Sequence, residues 1–264
     1  MQNKDDSWSS GDAYEWFMGR WSALIAQKFL DWLAVSPGSS WLDVGCGTGS
    51  LTKLILETSQ PKAVVSIDSS SEFISHARRS ITNPIVHFQV GLAQALELES
   101  NTIDVVVSGI MLNFVPQPET AIMEMKRVTK PGGTIGIFLW DYAEGMEMLR
   151  YFWDTAVELD EAAKAYDEGI RFPLCQKGQL ASLVEETGLR QVEVMPIEVT
   201  TKFQNFDDYW LPFLGNVGPA PGYTTSLSQK DRLRLENKLR DTLPIEENGS
   251  ISLMARAWAV KGTA

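Results

Sequence analysis

Apolar positions follow two periods along this chain, and the switches between them predict its elements. From Tyr14 the text YEWFMGRWSALIAQKFLDWL places Trp21, Leu24, Ile25, Phe29, Trp32 and Leu33 mostly three and four residues apart, one apolar face of a helix. Gly19 divides a short first helix from a longer second one, and Ser36-Pro37-Gly38 ends the segment. Residues 40 to 44 read as a short strand, followed by glycines at 45, 47 and 49 and a helix-forming stretch from Leu51. The helix begins near Thr48 and would aim N–H groups and its positive dipole end at whatever binds there. Residues 63 to 67 form the next strand, ending in Asp68. Residues 69 to 80 form a helix, with Ser69 or Ser70 as N-cap and Glu72 in its first turn. Residues 85 to 90 are a third strand, and 91 to 101 a connection with room for a helical turn. The β-branched run from Ile103 to Val107 has the mark of a strand buried on both faces. A helix over 116 to 129 is closed by Lys130-Pro131-Gly132-Gly133, and 134 to 139 is the fifth strand.

Strand and helix alternate to this point, which predicts a doubly wound parallel sheet with helices on both faces. Beyond Trp140 the text changes. Residues 144 to 167 are mostly helical and acidic, 178 to 187 form another helix, and 190 to 199 alternate as a strand. The stretch from Asn205 to Thr225 is dense in Pro, Gly and aromatics and has little periodicity. Within it, Asp207 to Tyr223 reads as a lid or pocket wall, because long irregular connections in compact domains are usually functional, with a plain packing loop as the alternative. A charged amphipathic helix over 227 to 243 and a last strand over 251 to 260 complete the chain. The expected organisation is one domain over 1–264, with an N-terminal helical cap at 12–36 and an insertion or lid at 200–248.

Composition narrows the function. The 264 residues are 44% hydrophobic, enough for a core, and carry a formal net charge of −11. Such a balance argues against nucleic acid or an anionic membrane as partner, since both need clustered Lys and Arg. No run approaches the length of a membrane span and the N-terminus lacks a signal-peptide core, so the expectation is a cytoplasmic protein, monomer or homodimer. Cys46 and Cys175 have no metal-ligand spacing, and no metal is expected. His76 and His87 fall within a helix and a strand, away from strand ends where ligands sit.

The chemistry gathers at WLDVGCGTGS, residues 41 to 50. Glycines are needed where the backbone takes positive φ or where a ligand presses on the main chain. Asp68 ends the following strand, about twenty residues on, where a nucleoside-binding fold places an acid to accept bonds from ribose hydroxyls. The dinucleotide fingerprint is G-x-G-x-x-G. Here the third glycine comes one residue early, and Asp43 precedes the first by two. This D-x-G-x-G-x-G pattern resembles the first motif of the class I S-adenosylmethionine-dependent methyltransferases. The stretches Gly91 to Leu96, Ile103 to Val115 and Glu124 to Gly133 resemble that family's later motifs, so the likeness covers about residues 40 to 140. Tyr14 to Trp21 and Phe206 to Tyr223 resemble a little-characterised bacterial group within it.

The resemblance implies an α/β, Rossmann-like class I methyltransferase fold, with a seven-stranded mostly parallel sheet whose last strand is antiparallel. It implies S-adenosyl-L-methionine as cofactor. Gly45, Gly47 and Gly49, with Cys46 and Thr48 between them, would approach its methionine part. Asp43 would orient its ammonium, Asp68 would hold the ribose, and Ser69 would border the adenine. Leu92 stands where many relatives carry an acid against the adenine amine, which leaves Gln94 or backbone groups around Ala93 to meet it. Gly109 would offer a carbonyl to the ammonium, and Arg20 a fork to the carboxylate.

The expected activity is transfer of the sulfonium methyl to a small organic acceptor, in line, in an aromatic-lined pocket. Tyr14, Phe17, Asn113, Trp140 and Trp210 are the candidate pocket residues. Asp141 and Tyr142, just past the fifth strand, are the candidate catalytic groups. The acidic charge disfavours macromolecular acceptors, and so does Ser108-Gly109-Ile110-Met111, which lacks the Pro-Pro-aromatic turn of many nucleic-acid and protein amide methylators. The alternatives are a protein that binds the same cofactor without methylating, as a sensor or another enzyme, and an NAD-linked oxidoreductase.

Overall fold

The computed structural model describes residues 15–176, 178–215 and 218–264. A π-helical turn, Glu15–Gly19, leads into α1 (Arg20–Leu33). There follow β1 (Ser40–Val44), α2 (Ser50–Thr58), β2 (Ala63–Asp68), α3 (Ser71–Ser80), β3 (Val86–Val90), β4 (Ile103–Gly109), α4 (Pro118–Val128) and β5 (Thr129–Trp140). The rest comprises α5 (Glu147–Leu159), α6 (Gln179–Glu186), β6 (Arg190–Phe203), α7 (Pro219–Ser226), α8 (Gln229–Thr242) and β7 (Ile251–Thr263), with short helical turns between them. The seven strands form one sheet in the order β3-β2-β1-β4-β5-β7-β6. The first five are parallel, and the last two strands run antiparallel.

The described residues fall into two compact units. One holds Ala23–Leu139, the segment after Gln176 up to Ile197, and Ala257–Ala264; the other holds residues up to Ser22, Trp140–Gln176 and Glu198–Arg256. We call them the parallel-sheet unit and the aromatic unit.

In the parallel-sheet unit every residue of β1 is buried, as its apolar text requires at the centre of a sheet. Ser70 caps α3, its hydroxyl accepting from the Phe73 N–H at 3.2 Å, which is one of the two caps that the sequence offers. The widest departure from the expected boundaries in this unit is at the start of β5. Lys130-Pro131-Gly132-Gly133 does not precede β5 but lies inside it, as a bulge: Ile103 pairs with Thr129, and Val105 already with Thr134. The bulge needs glycine, because a Cβ at Gly133 would stand 2.8 Å from the Asp104 carbonyl and 2.9 Å from that of Lys130.

In the aromatic unit the stretch read as irregular is folded. Asn205 caps a turn of helix at Phe206–Trp210, Leu211–Leu214 is a 3-10 turn, and α7 follows. Their rings do not alternate with polar residues because almost all point inward. Phe152 and Phe213 stack at 4.5 Å and 5°, Phe17 meets Phe213 edge-on at 5.5 Å, and Tyr209 lies 5.4 Å from Phe203. A core assembled from rings in short turns has no helical or strand period to read.

Candidate functional site

The site grows from the carboxyl ends of β1 and β2, where an open parallel sheet leaves its crevice. Asp43 is the one acid in β1 and is 1% exposed. Thr52, on the first turn of α2, donates its hydroxyl to Asp43 Oδ2 at 2.7 Å. Since that proton is used, Ser66 Oγ, 2.8 Å away on β2, donates to Thr52 in turn. The other carboxylate oxygen, Oδ1, is buried with no hydrogen-bond partner. Burial pushes the Asp43 pKa up to about 7; the Thr52 hydroxyl lowers it, and the negative charge of Asp68 raises it further.

Asp68 ties the glycine turn to β2. Its Oδ2 accepts from the Gly47 N–H at 2.9 Å and its Oδ1 from the Ser70 N–H at 2.8 Å. Burial raises its pKa against the pull of these two donors. Gly45 and Cys46 both donate to the Ile67 carbonyl, at 2.7 and 3.0 Å, and Gly49 donates to Cys46 at 2.9 Å. These four N–H groups of the turn are therefore used inside the protein. A phosphate cradle needs such groups aimed at the ligand, so this turn is poorly built for a pyrophosphate. What it presents is bare glycine backbone beside the Asp68 carboxylate, with Asp43 buried in β1, an environment for a cation.

A cleft of about 140 Å³ opens here, smaller than the roughly 300–1,000 Å³ of most small-molecule sites. Gly45, Asp68, Ser69, Leu92, Ala93 and Gln94 line one part of it. Met111, Phe114, Val115 and Pro116, from the segment after β4, line another. Asp68 is the one charged side chain among the lining residues. Leu92 is 57% exposed at its mouth. Cys46 points away, into a small core with Ile74, Ala77 and Phe88, and burial raises its thiol pKa, with Asp43 and Asp68 adding to the rise. Gly49, the N-cap of α2 at φ 92, sits against Ile81 and Ala77. Thr48 lies 3.4 Å from Ser50 through their hydroxyls. Gly109 ends β4 against the Phe138 ring.

A family profile described as a methyltransferase domain matches residues 42–137. A demethylmenaquinone methyltransferase of Bacillus cereus is 31% identical over 180 residues, 61% of this chain and 74% of that protein. This chain belongs to the S-adenosylmethionine-dependent class I methyltransferases. The methyltransferase is also 33% identical, over 213 residues, to an uncharacterized 37.1 kDa protein in transposon Tn4556 of Streptomyces fradiae, covering 76% of this chain and 58% of that protein. Its fold is similar to phosphoethanolamine N-methyltransferase 2 of Haemonchus contortus, solved in complex with S-adenosyl-L-methionine, at a TM-score of 0.59 and 18% identity over 96% of this chain and 56% of that one. The matched stretches span only 39% to 58% of the length of several of these curated relatives.

The residues present fit S-adenosylmethionine. Asp43 keeps an unpartnered buried oxygen, the acids provide negative charge for a cation, and a Cβ placed on Gly47 would meet nothing within 4 Å, so the turn has open space above it. Thr52 and Ser66, which hold Asp43, are the residues that sequence reasoning missed. Their signal was a hydroxyl in each of two mostly apolar runs, LTKLIL and AVVSID.

The remaining expected residues divide between the units. Asn113 is in the parallel-sheet unit, on the 3-10 turn Leu112–Phe114, and neither its amide oxygen nor its nitrogen has a partner, though both are buried. Arg20 is in the aromatic unit, bonded to Asp208 at 2.9 Å and lying over Trp21 at 4.3 Å and Phe203 at 5.0 Å. Phe17, Trp140 and Trp210 are buried there at 3%, 0% and 3% exposure. Asp141 is forked by Arg256, with Oδ2 2.8 Å from Nε and 2.7 Å from the terminal nitrogen, while Oδ1 accepts the Glu144 N–H at 3.0 Å. With both oxygens held, Asp141 anchors the turn after β5. Tyr142 is 3% exposed beside Phe172. Tyr14 lies outside the described residues.

Proposed function

We propose that this methyltransferase transfers the methyl group to a small organic acceptor rather than to nucleic acid or protein. When bound, the cofactor supplies an electrophilic sulfonium methyl with a good leaving group. The chain's own residues then bind, orient and dehydrate. Asp43 faces the cofactor's ammonium, Asp68 accepts from the ribose hydroxyls, and Leu92, Ala93 and Gln94 border the base. In-line attack asks for little beyond close, oriented reactants, and apolar enclosure favours it. We assign acceptor orientation to the Asn113 amide, since a buried amide with no partner carries an unmet hydrogen-bonding demand that a ligand can satisfy. No dedicated base belongs to this reading, because Asp141 is forked by Arg256.

The observation that carries the reading is the carboxylate pair, Asp43 and Asp68, beside a glycine turn whose N–H groups are internally bonded. It favours a cationic nucleoside over a dinucleotide. The net charge of −11 and the absence of a Pro-Pro turn after β4 support a small acceptor. So does the name of the Bacillus cereus relative, which acts on demethylmenaquinone.

The test is calorimetric titration with S-adenosylhomocysteine and with NADH, followed by a turnover screen for S-adenosylhomocysteine release against small phenols, quinols and amines, with RNA and protein in parallel. Binding of the first ligand alone, and release with a small molecule alone, are expected; labelling confined to RNA or protein would overturn the proposal. Asp68→Ala should weaken S-adenosylhomocysteine binding about tenfold or more, since hydrogen bonds to a charged group contribute about 1.5–3 kcal/mol each.

A further inference from the structure

The segment between β4 and α4 contains a backbone conformation that its sequence does not favour. Ile110 has φ 59, in the left-handed region. For a β-branched residue this is a true outlier, and such outliers persist only where the surroundings hold them. The holding contacts are visible. The Ile110 N–H donates to the Phe138 carbonyl at 2.8 Å, Gly109 is pressed against the Phe138 ring, and the Phe114 N–H closes the next turn onto the Met111 carbonyl at 2.9 Å.

The consequence falls on the following residue. Met111 lies across Gly45: a Cβ at position 45 would stand 2.6 Å from Met111 Cβ and 3.2 Å from its Cε. Both residues line the cleft. An extended residue at 110 would carry the chain onward from β4, and the reversal there directs Met111 back over the glycine turn instead. Methionine suits the place, since its unbranched thioether adapts to the ligand it packs against.

We propose that Ile110 and Met111 are positioning residues for the cofactor: the left-handed Ile110 fixes Met111 as the apolar wall of the cleft over Gly45, and that wall sets how tightly the nucleoside is held. This rests on the reading of the cleft as the cofactor site, and the test separates the two. S-adenosylhomocysteine binding is measured by calorimetry, and melting temperature by calorimetric scanning, for Met111→Ala, Met111→Leu, Ile110→Gly and Asp68→Ala. Met111→Ala should weaken binding about tenfold through lost apolar burial, and Met111→Leu should recover most of it. Ile110→Gly should melt no lower than the parent, because glycine adopts this φ without strain. It should also keep the parent's affinity, because the left-handed turn and its backbone bond to Phe138, not the Ile110 side chain, place Met111. Loss of melting temperature without loss of affinity would mark a merely structural role. If Asp68→Ala binds normally, the cofactor-site reading falls and the wall with it. If Asp68→Ala loses affinity while folded Met111→Ala keeps it, the wall alone is overturned.

Discussion

Asp43 stores free energy against folding. Its carboxylate is buried, half of it unpartnered, and its pKa is pushed to about 7 by burial. The sign follows from proton counting. Between about pH 4 and pH 7 the folded protein keeps a proton that the unfolded chain has released. Stability falls as pH rises through that window, by on the order of 4 kcal/mol for this one group. Asp43→Asn removes the charge and keeps an acceptor for Thr52. It should therefore stabilise the free protein at pH 8 by a few kcal/mol and by little at pH 4, measured by denaturant unfolding at both. An equal gain at the two pH values would show that charge is not the cause. The same variant should bind S-adenosylhomocysteine more weakly, since the ligand's ammonium loses its counter-charge. A residue that costs stability and repays it in binding is the ordinary signature of a site.

At the scale of elements, the glycine turn divides its work between packing and binding. Gly49 has φ 92, and a Cβ there would stand 2.9 Å from Ile81 Cδ1 and 3.3 Å from Ala77 Cβ. Gly49→Ala should cost about 2–3 kcal/mol in thermal unfolding, from the left-handed conformation plus crowding against α3. Gly47→Ala meets nothing within 4 Å. It should cost only the conformational part, about 1–2 kcal/mol, but put a methyl group where the cofactor approaches and weaken binding more than Gly49→Ala does. Equal ratios of binding loss to stability loss in the two variants would refute this division. The turn, the parallel strands and the acid at the end of β2 were legible because strand, glycine and helix follow one another in sequence, each with a strong local signal. The bulge in β5 was not, since Pro131-Gly132-Gly133 reads as a turn and becomes a strand only by pairing with β4. The aromatic unit was legible least. Its rings pack within short turns at no fixed spacing, so Phe17 and Trp210, read as candidate pocket residues, are buried at 3% exposure each among aromatic neighbours. The partner of Asp141, Arg256, is 115 residues away in sequence, so their fork was not legible.

For the whole molecule, buried acids and net charge act in one direction. Each unit contains one fully buried carboxyl group with a raised pKa. Asp43 is in the parallel-sheet unit; Glu168, which accepts the Trp153 indole N–H, is in the aromatic unit, and burial pushes it likewise to about 7. Both hold protons in the folded state that they lose on unfolding above about pH 4, so both make stability fall between about pH 4 and 7. Deprotonation also adds to a formal charge of −11, and self-repulsion grows with it. The opposing groups are weaker. The Lys130 ammonium holds Asp104 below the usual carboxylate range, and Arg127 lowers Glu124. These contribute stability above about pH 4 that is lost on acidification, but both pairs are largely solvated and worth about 1 kcal/mol or less each. The free protein should thus be most stable on the acid side of neutrality, near pH 5, with melting temperature declining toward pH 8. Saturating S-adenosylhomocysteine should offset the Asp43 share of that decline, because its ammonium compensates that carboxylate, and leave the Glu168 share intact. The combined variant Asp43→Asn with Glu168→Gln should flatten the alkaline limb without ligand. A melting temperature that rises from pH 5 to 8 would mean that these two carboxyl groups reach water or a cation in the folded protein.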